Sequence, residues 1–203
     1  VKARGWRAAS SISVEVGQLL RSGERFIYAY YDGVDKIAHE RGFGPFYEAE
    51  LRSADALVKS IQDVLTPGAV LLVTADHGQV MVGTNTLPPN PEVLAMTAYQ
   101  SGEGRFRWLH ARDGVQVELL ARASAHHADV AWVVSKEQVI DENWLGPRLG
   151  PATRKRLGDV ALVPRDPISF DDVGDTGPFL LQCRHGALTD DELDVPLLAT
   201  AVK

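Results

Sequence analysis

An α/β fold is the class this sequence predicts: a core of mostly parallel sheet flanked by helices, interrupted by an inserted, hairpin-containing region. Three observations predict it. Phe26-Ile27-Tyr28-Ala29-Tyr30-Tyr31 is a short apolar and aromatic run bounded by polar residues, and reads as a buried strand. From Pro45 to Leu65, apolar residues recur at Phe46, Leu51, Ala54, Leu57, Val58 and Ile61, a helical spacing. Ala69 to Thr74 is a second continuous apolar run, the kind found in a strand covered on both faces. Strand, helix and strand in that order make a βαβ unit.

The remaining elements follow from local signals. Ser10 to Leu20 carries a loose amphipathic pattern through Ile12, Val14, Val16, Leu19 and Leu20, which fits a short helix. Pro45 sits well at a helix start, and Thr66-Pro67-Gly68 stops that helix. Thr84 to Pro91 is rich in Pro, Asn and Thr and reads as a loop. Phe106–Ala111 and Val115–Leu120 flank Asp113-Gly114, a hairpin-turn signal. Ala131 to Val134 reads as a strand followed by a short helix through Ile140. Asp159 to Val163 and Val195 to Val202 read as later strands. The resulting organisation is a first core segment over 1–83, an inserted cap-like region over 84–156, and a last core segment over 157–203.

Composition narrows the function. The 203 residues are 45% hydrophobic and 24% charged, with a formal net charge of -6. An acidic chain of this kind offers no electrostatic footprint for duplex nucleic acid or an anionic membrane surface. With Cys183 the single cysteine, no intrachain disulfide is possible. No apolar run reaches the length of about 18 residues that a membrane span needs, so a soluble chain is expected, with the cytoplasm favoured. The opening Val1-Lys-Ala-Arg-Gly-Trp6 has neither an initiator Met nor a signal peptide and reads as a fragment or processed product.

Three clusters near strand ends carry the candidate chemistry: Asp35 with His39, Asp76 with His77 and Gly78, and His185 with Gly186. In open α/β sheets, ligand sites form beyond the carboxyl ends of strands, where the first two clusters fall. Carboxylates and neutral imidazoles suit zinc and similar divalent ions. The Asp-x-x-x-His spacing puts Asp35 and His39 on one side of a helical turn. Five ligands exceed one tetrahedral site and suit two metals. Each cluster alone is weak, since charged residues at a strand end also mark turns; their joint order carries the reading. His110, His126 and His127 lack such support and read as structural or surface residues.

Together these residues resemble the alkaline phosphatase superfamily, and within it the type I phosphodiesterase/nucleotide pyrophosphatase branch. The resemblance rests on Asp35 to His39 with Gly42-Phe-Gly-Pro45, on Thr74-Ala-Asp-His-Gly78, and on His185-Gly186 followed by Asp194-Val-Pro-Leu-Leu198. Gly102-Glu-Gly-Arg-Phe-Arg107 and Gly158-Asp-Val-Ala161 are similar to bacterial members, and the likeness runs from about Phe26 to the C-terminus.

The resemblance implies an alkaline-phosphatase-like core truncated at its N-terminus. It implies two divalent metals, Zn²⁺ or else Mn²⁺, with Asp35, His39 and His185 on one and Asp76 and His77 on the other. A Thr or Ser nucleophile and a further Asp would come from a segment that precedes everything matched, so no catalytic nucleophile is assigned in this chain. Ser10, Ser11 and Ser13 are the nearest by type, but no metal-binding Asp precedes them. Asp32 is an alternative to Asp35 as ligand, or its partner.

The implied activity is hydrolysis of phosphate esters, with phosphodiesterase or nucleotide pyrophosphatase chemistry on a small phosphate-ester or nucleotide substrate. Alternatives are a phosphomonoesterase, sulfatase, phosphonate hydrolase or phosphomutase, or a metal-binding fragment without turnover. Arg105 and Arg107 could face a substrate phosphate, although alternation with Phe106 and Trp108 fits the polar side of a hairpin strand better. Trp108, Trp132 and Trp144 read as packing residues. A truncated core should expose apolar surface, so self-association, or pairing with a missing N-terminal segment, is expected.

Overall fold

The computed structural model describes residues 3–175, 177 and 180–202. The extreme ends of the expected 1–83 and 157–203 segments, at Val1, Lys2 and Lys203, lie outside them. Along the chain come α1 (Ser10–Arg21), α2 (Gly33–Arg41), α3 (Pro45–Gln62) and β1 (Val70–Thr74). They are followed by β2 (Val80–Met81), β3 (Thr86–Leu87), α4 (Pro91–Met96), β4 (Thr97–Glu103), β5 (Phe106–Ala111), α5 (Gln116–His127) and β6 (Ala131–Ser135). Then come α6 (Lys136–Asp141), α7 (Pro151–Arg156), β7 (Val160–Pro164), β8 (Ser169–Phe170), β9 (Cys183–Arg184), α8 (Asp190–Leu193) and β10 (Leu197–Ala201).

The chain folds as two compact units, Val1–Asp76 with Val195–Lys203, and His77–Asp194. In the first, Ile12 and Val16 of α1 and Ile61 of α3 form a small core, against which Trp6, Ile27, Tyr31, Leu57 and Leu71 pack. Pro45 opens α3 as its spacing predicts. β1 pairs antiparallel with β10, from Val70 opposite Ala201 to Thr74 opposite Leu197. Alternation along β1 turns Leu71 toward the helices, while Val70 and Leu72 remain exposed. The apolar run 69–74 is therefore not covered on both faces in this structure.

Phe26–Tyr31 departs from the expected buried strand. It has no strand partner among the described residues; Phe26 and Tyr28 are exposed while Ile27 and Tyr31 turn inward. The run's hydrophobicity is therefore split between a packed side and an open one, and the βαβ unit is not closed by a ladder here.

The second unit is built on a four-stranded antiparallel sheet, ordered β4-β5-β7-β6. β7 is buried along its whole length. Val160 and Leu162 enter one core, with Val93 of α4 and Leu119 and Ala123 of α5; Ala161 and Val163 enter another, with Trp108 and Val139. That two-sided burial explains why 159–163 reads as an uninterrupted apolar run.

The hairpin expected around Asp113-Gly114 is not formed. Residues 116–127 are helical, because Leu119, Ala123 and His127 recur every fourth position and bury one stripe. The hairpin lies one element earlier, where β4 and β5 pair from Thr97 opposite Ala111 to Glu103 opposite Phe106. β7, assigned from sequence to the last core segment, pairs with β5 and β6 instead. The α/β class stands, but the strand directions are not those of a mostly parallel sheet: among the described residues only β3–β8 is parallel. No helix among them is long and apolar enough to cross a membrane.

Candidate metal centre

The first unit supplies carboxylates and one imidazole. α2 carries Asp35 in its first turn and His39 in its last, and the i,i+4 spacing brings His39 Nε2 to 3.2 Å from Asp35 Oδ1. Both side chains are half-buried, and their ligand atoms lie close enough to share one ion at the usual bond lengths of about 2 Å. Asp32 precedes α2 without a side-chain capping hydrogen bond and pairs with Lys36 Nζ at 2.7 Å.

Behind this helix, the Tyr31 hydroxyl donates to Glu50 Oε1 of α3. That hydrogen bond, followed by burial and the Glu50 charge, pushes the Tyr31 phenol up to about 12. A Cβ at Gly33, the first residue of α2, would overlap this pair, so glycine lets α2 begin directly over it. Asp76 follows the end of β1 and is exposed. Its charge is the main reason the Tyr30 phenol is raised, ahead of burial, Asp35 and Asp32, so the three carboxylates share one neighbourhood around that ring.

The second unit supplies the other two imidazoles. The rings of His77 and His185 stack with centroids 3.5 Å apart and planes 13° apart. His77 Nδ1 lies 2.9 Å from the Gly78 carbonyl oxygen, which can only accept. In the neutral tautomer this contact favours, the proton sits on Nδ1 and Nε2 keeps its lone pair, the arrangement used by histidine metal ligands. β2 and β9 pair Val80 with Arg184 and Met81 with Cys183, tying the chain just after His77 to the chain just before His185.

Two ion pairs made by buried arginines escaped the sequence reading. Arg105 and Arg107, read as the polar side of a hairpin strand, are both fully buried. Arg107 binds the Phe170 carbonyl and pairs with Asp175. Arg105 forms a bidentate pair with Glu192, itself inside the acidic run Asp190-Asp-Glu-Leu-Asp194. The signal was present as Thr189-x-x-Glu192, a capping-box spacing; Thr189 Oγ1 donates to Glu192 Oε2 at 2.5 Å. Burial raises the Glu192 carboxyl, but hydrogen bonds from Arg105 and Thr189, the Arg105 charge and the Ala187 N–H outweigh it and leave it below the ordinary carboxylate value.

The other histidines have structural surroundings. His127 Nε2 accepts from the Asn90 N–H at 3.0 Å, His110 stacks on Tyr99 and binds Ser101, and His126 faces Glu92. Trp108 is buried in the second unit's core, with Trp132 and Trp144 packed at its margin. Ser11 Oγ, at the start of α1, donates to the carbonyl of Ala8, which precedes the helix.

A family model of the type I phosphodiesterase/nucleotide pyrophosphatase matches residues 6–175. The chain belongs to this family. The matched stretch contains Asp35, His39, Asp76 and His77 and ends before His185. Murine ectonucleotide pyrophosphatase/phosphodiesterase 5 superposes with a TM-score of 0.72 at 13% identity, covering 99% of this chain and 54% of its own. The human counterpart gives 0.71 at 14% identity over 99% and 54%. Phosphonoacetate hydrolase from Sinorhizobium meliloti, solved with phosphonoformate, gives 0.68 at 18% identity over 96% and 50%. These likenesses carry the fold alone. This family member spans about half the length of the solved structures it resembles. No curated protein matches its sequence.

Proposed function

We propose that the protein hydrolyses phosphate esters with two divalent metals, Zn²⁺ or Mn²⁺, and acts as a phosphodiesterase or nucleotide pyrophosphatase on a small phosphate-ester or nucleotide substrate. Asp35, His39 and His185 hold one metal, and Asp76 and His77 hold the other. The observation that carries the reading is the pairing of candidate ligands inside each unit: Asp35 with His39, and His77 with His185. Carboxylate oxygens and imidazole nitrogens fit both ions, and no cysteine is involved.

When bound, such metals neutralise charge on the phosphoryl oxygens and lower the pKa of the attacking hydroxyl. The chain's own residues prepare for that chemistry. Gly78 O holds the His77 proton on Nδ1, keeping Nε2 available. Tyr31 and Glu50 brace the start of the helix that presents Asp35 and His39. No residue of this chain is assigned as the attacking Thr or Ser hydroxyl.

The test, on the parent protein that supplies the attacking hydroxyl, measures metal content together with hydrolysis of bis-p-nitrophenyl phosphate and p-nitrophenyl phosphate, with Zn²⁺ or Mn²⁺ supplied. Faster diester cleavage, with less bound metal in Asp76→Ala and His185→Ala, is the expected result. Monoester preference would move the protein to another activity of the superfamily. Tight metal binding without turnover would make the chain a metal-binding fragment. Unchanged metal content in both variants would sink the ligand assignment.

A further inference from the structure

A fully buried ion pair needs an explanation, because removing two charges from water costs several kcal/mol per ion and the pair by itself is weak evidence of stabilisation. Arg105 stands at the tip of the β4–β5 hairpin. Its Nε and Nη2 donate to Glu192 Oε1 and Oε2 at 3.0 and 2.5 Å, and its Nη1 donates to the Asp166 and Ile168 carbonyls at 2.5 and 2.7 Å. A planar fork of this kind fixes direction as well as distance.

What the pair holds is informative. Glu192 Oε1 also accepts the Ala187 N–H at 3.0 Å, two residues after His185. The Glu192 carbonyl accepts the Gly78 N–H at 2.8 Å, one residue after His77. The backbone around Asp191 and Glu192 is seated so closely on Gly78 that a Cβ there would overlap the Asp191 carbonyl. On the other flank of His185, Arg184 Nη1 donates to Glu103 Oε1 at 3.1 Å, and Glu103 Oε2 accepts the Arg105 N–H at 2.7 Å. Both imidazole-bearing turns therefore end on one buried hub.

We infer that Arg105 and Glu192 are positioning residues that lock the turns carrying His77 and His185, so that the two imidazoles are presented as one stacked pair. The inference rests on the proposed role of these histidines as metal ligands, and it goes further by naming what aims them. Neither Arg105 nor Glu192 touches metal or substrate in this account. A planar bidentate pair specifies one arrangement of the two turns, which an apolar pair of similar volume would leave adjustable.

The experiment compares the wild-type chain with Arg105→Lys, Glu192→Gln and the double variant Arg105→Met/Glu192→Leu, on three readouts. The first is the urea unfolding midpoint. The second, in metal-free protein, is the pair of histidine Cε1–H resonances shifted upfield by ring stacking, assigned through His77→Ala and His185→Ala. The third is the Zn²⁺ dissociation constant, from competition with a chromogenic chelator.

The expected result is a double variant that unfolds near the wild-type midpoint, loses the upfield shifts, and binds Zn²⁺ about 10- to 100-fold more weakly, the usual cost of losing an outer-shell partner. Retained shifts and retained Zn²⁺ affinity in folded variants would overturn the inference. Should the double variant not fold, the two single variants decide by the same readouts. If His185→Ala itself leaves Zn²⁺ affinity unchanged, the ligand assignment fails, while the stacking shifts still judge the positioning role.

Discussion

In the second unit β7 is buried from end to end, and His77 and His185 hang from turns tied to a guanidinium with no solvent exposure. In the first unit β1 alternates exposed and half-buried residues, and Asp35 and His39 project from a helix whose one buried residue is Ala38. The candidate ligands Asp35 and His39 of the first unit are thus set by helical spacing, a local property. Those of the second are set by partners 87 residues apart in sequence, Arg105 and Glu192. Local geometry survives a thin core; long-range geometry needs a dense one.

The difference in cores can be broken most directly by cavity formation. Leu162→Ala, which empties a fully buried site in the second unit, is expected to cost about 4 kcal/mol, and Ile61→Ala in the smaller core about 2 kcal/mol, by urea unfolding. Equal losses would deny the contrast.

Next in size is the response to acid. Burial, aided by His126 and opposed by Asp129, lowers the pKa of His127 from 6.5, and its Nε2 accepts from the Asn90 N–H only when unprotonated. A depressed folded value means this contribution is present above the unfolded pKa and lost as pH falls. Stability of the second unit should therefore drop as pH falls below the unfolded imidazole value of 6.5, and His127→Gln should flatten that dependence.

At the alkaline end the sign reverses. Tyr31 is raised from 10.0 to about 12, so its contribution in the first unit is intact below the unfolded value and fades as pH climbs through the folded one. Absorbance at the tyrosinate band should show Tyr31 ionising late, with Tyr30 also raised, and Glu50→Gln should bring the Tyr31 midpoint down.

Smallest in stability is Leu72→Lys, on the open face of β1. It should shift unfolding by no more than about 0.5 kcal/mol, while light scattering shows less self-association than the parent chain. A parent that is monomeric at all concentrations would remove the reason for that comparison.

The same contrast explains what was readable beforehand. α1, α3 and the Asp35/His39 pair follow short-range periodicity, and the sequence shows each of them. So does β7, whose burial on both faces leaves an unbroken apolar run. Phe26–Tyr31 misleads because composition reports hydrophobicity but not whether a neighbouring strand exists to cover it. Residues 115–120 mislead because Asp-Gly favours a turn whichever element follows, and the helical stripe through Leu119, Ala123 and His127 extends past the window that suggested a strand. The pairing of Arg105 with Glu192 could not be seen, since alternation with aromatic residues looks the same whether an arginine meets water or a carboxylate far along the chain.

The two-residue β2–β9 ladder has a practical outcome for engineering. The backbone leaves the imidazole pair at Val82 and returns at Gln182, where the Val82 and Gly83 N–H groups both donate to the Gln182 carbonyl at 2.8 Å. The exit and the return are stapled side by side, so added length at remote exposed tips, such as Asp113-Gly114 or Gly146 to Gly150, need not alter the spacing of the two rings. A single residue inserted at Gln79 would instead shift the ladder's register and turn His77 away from its neighbour.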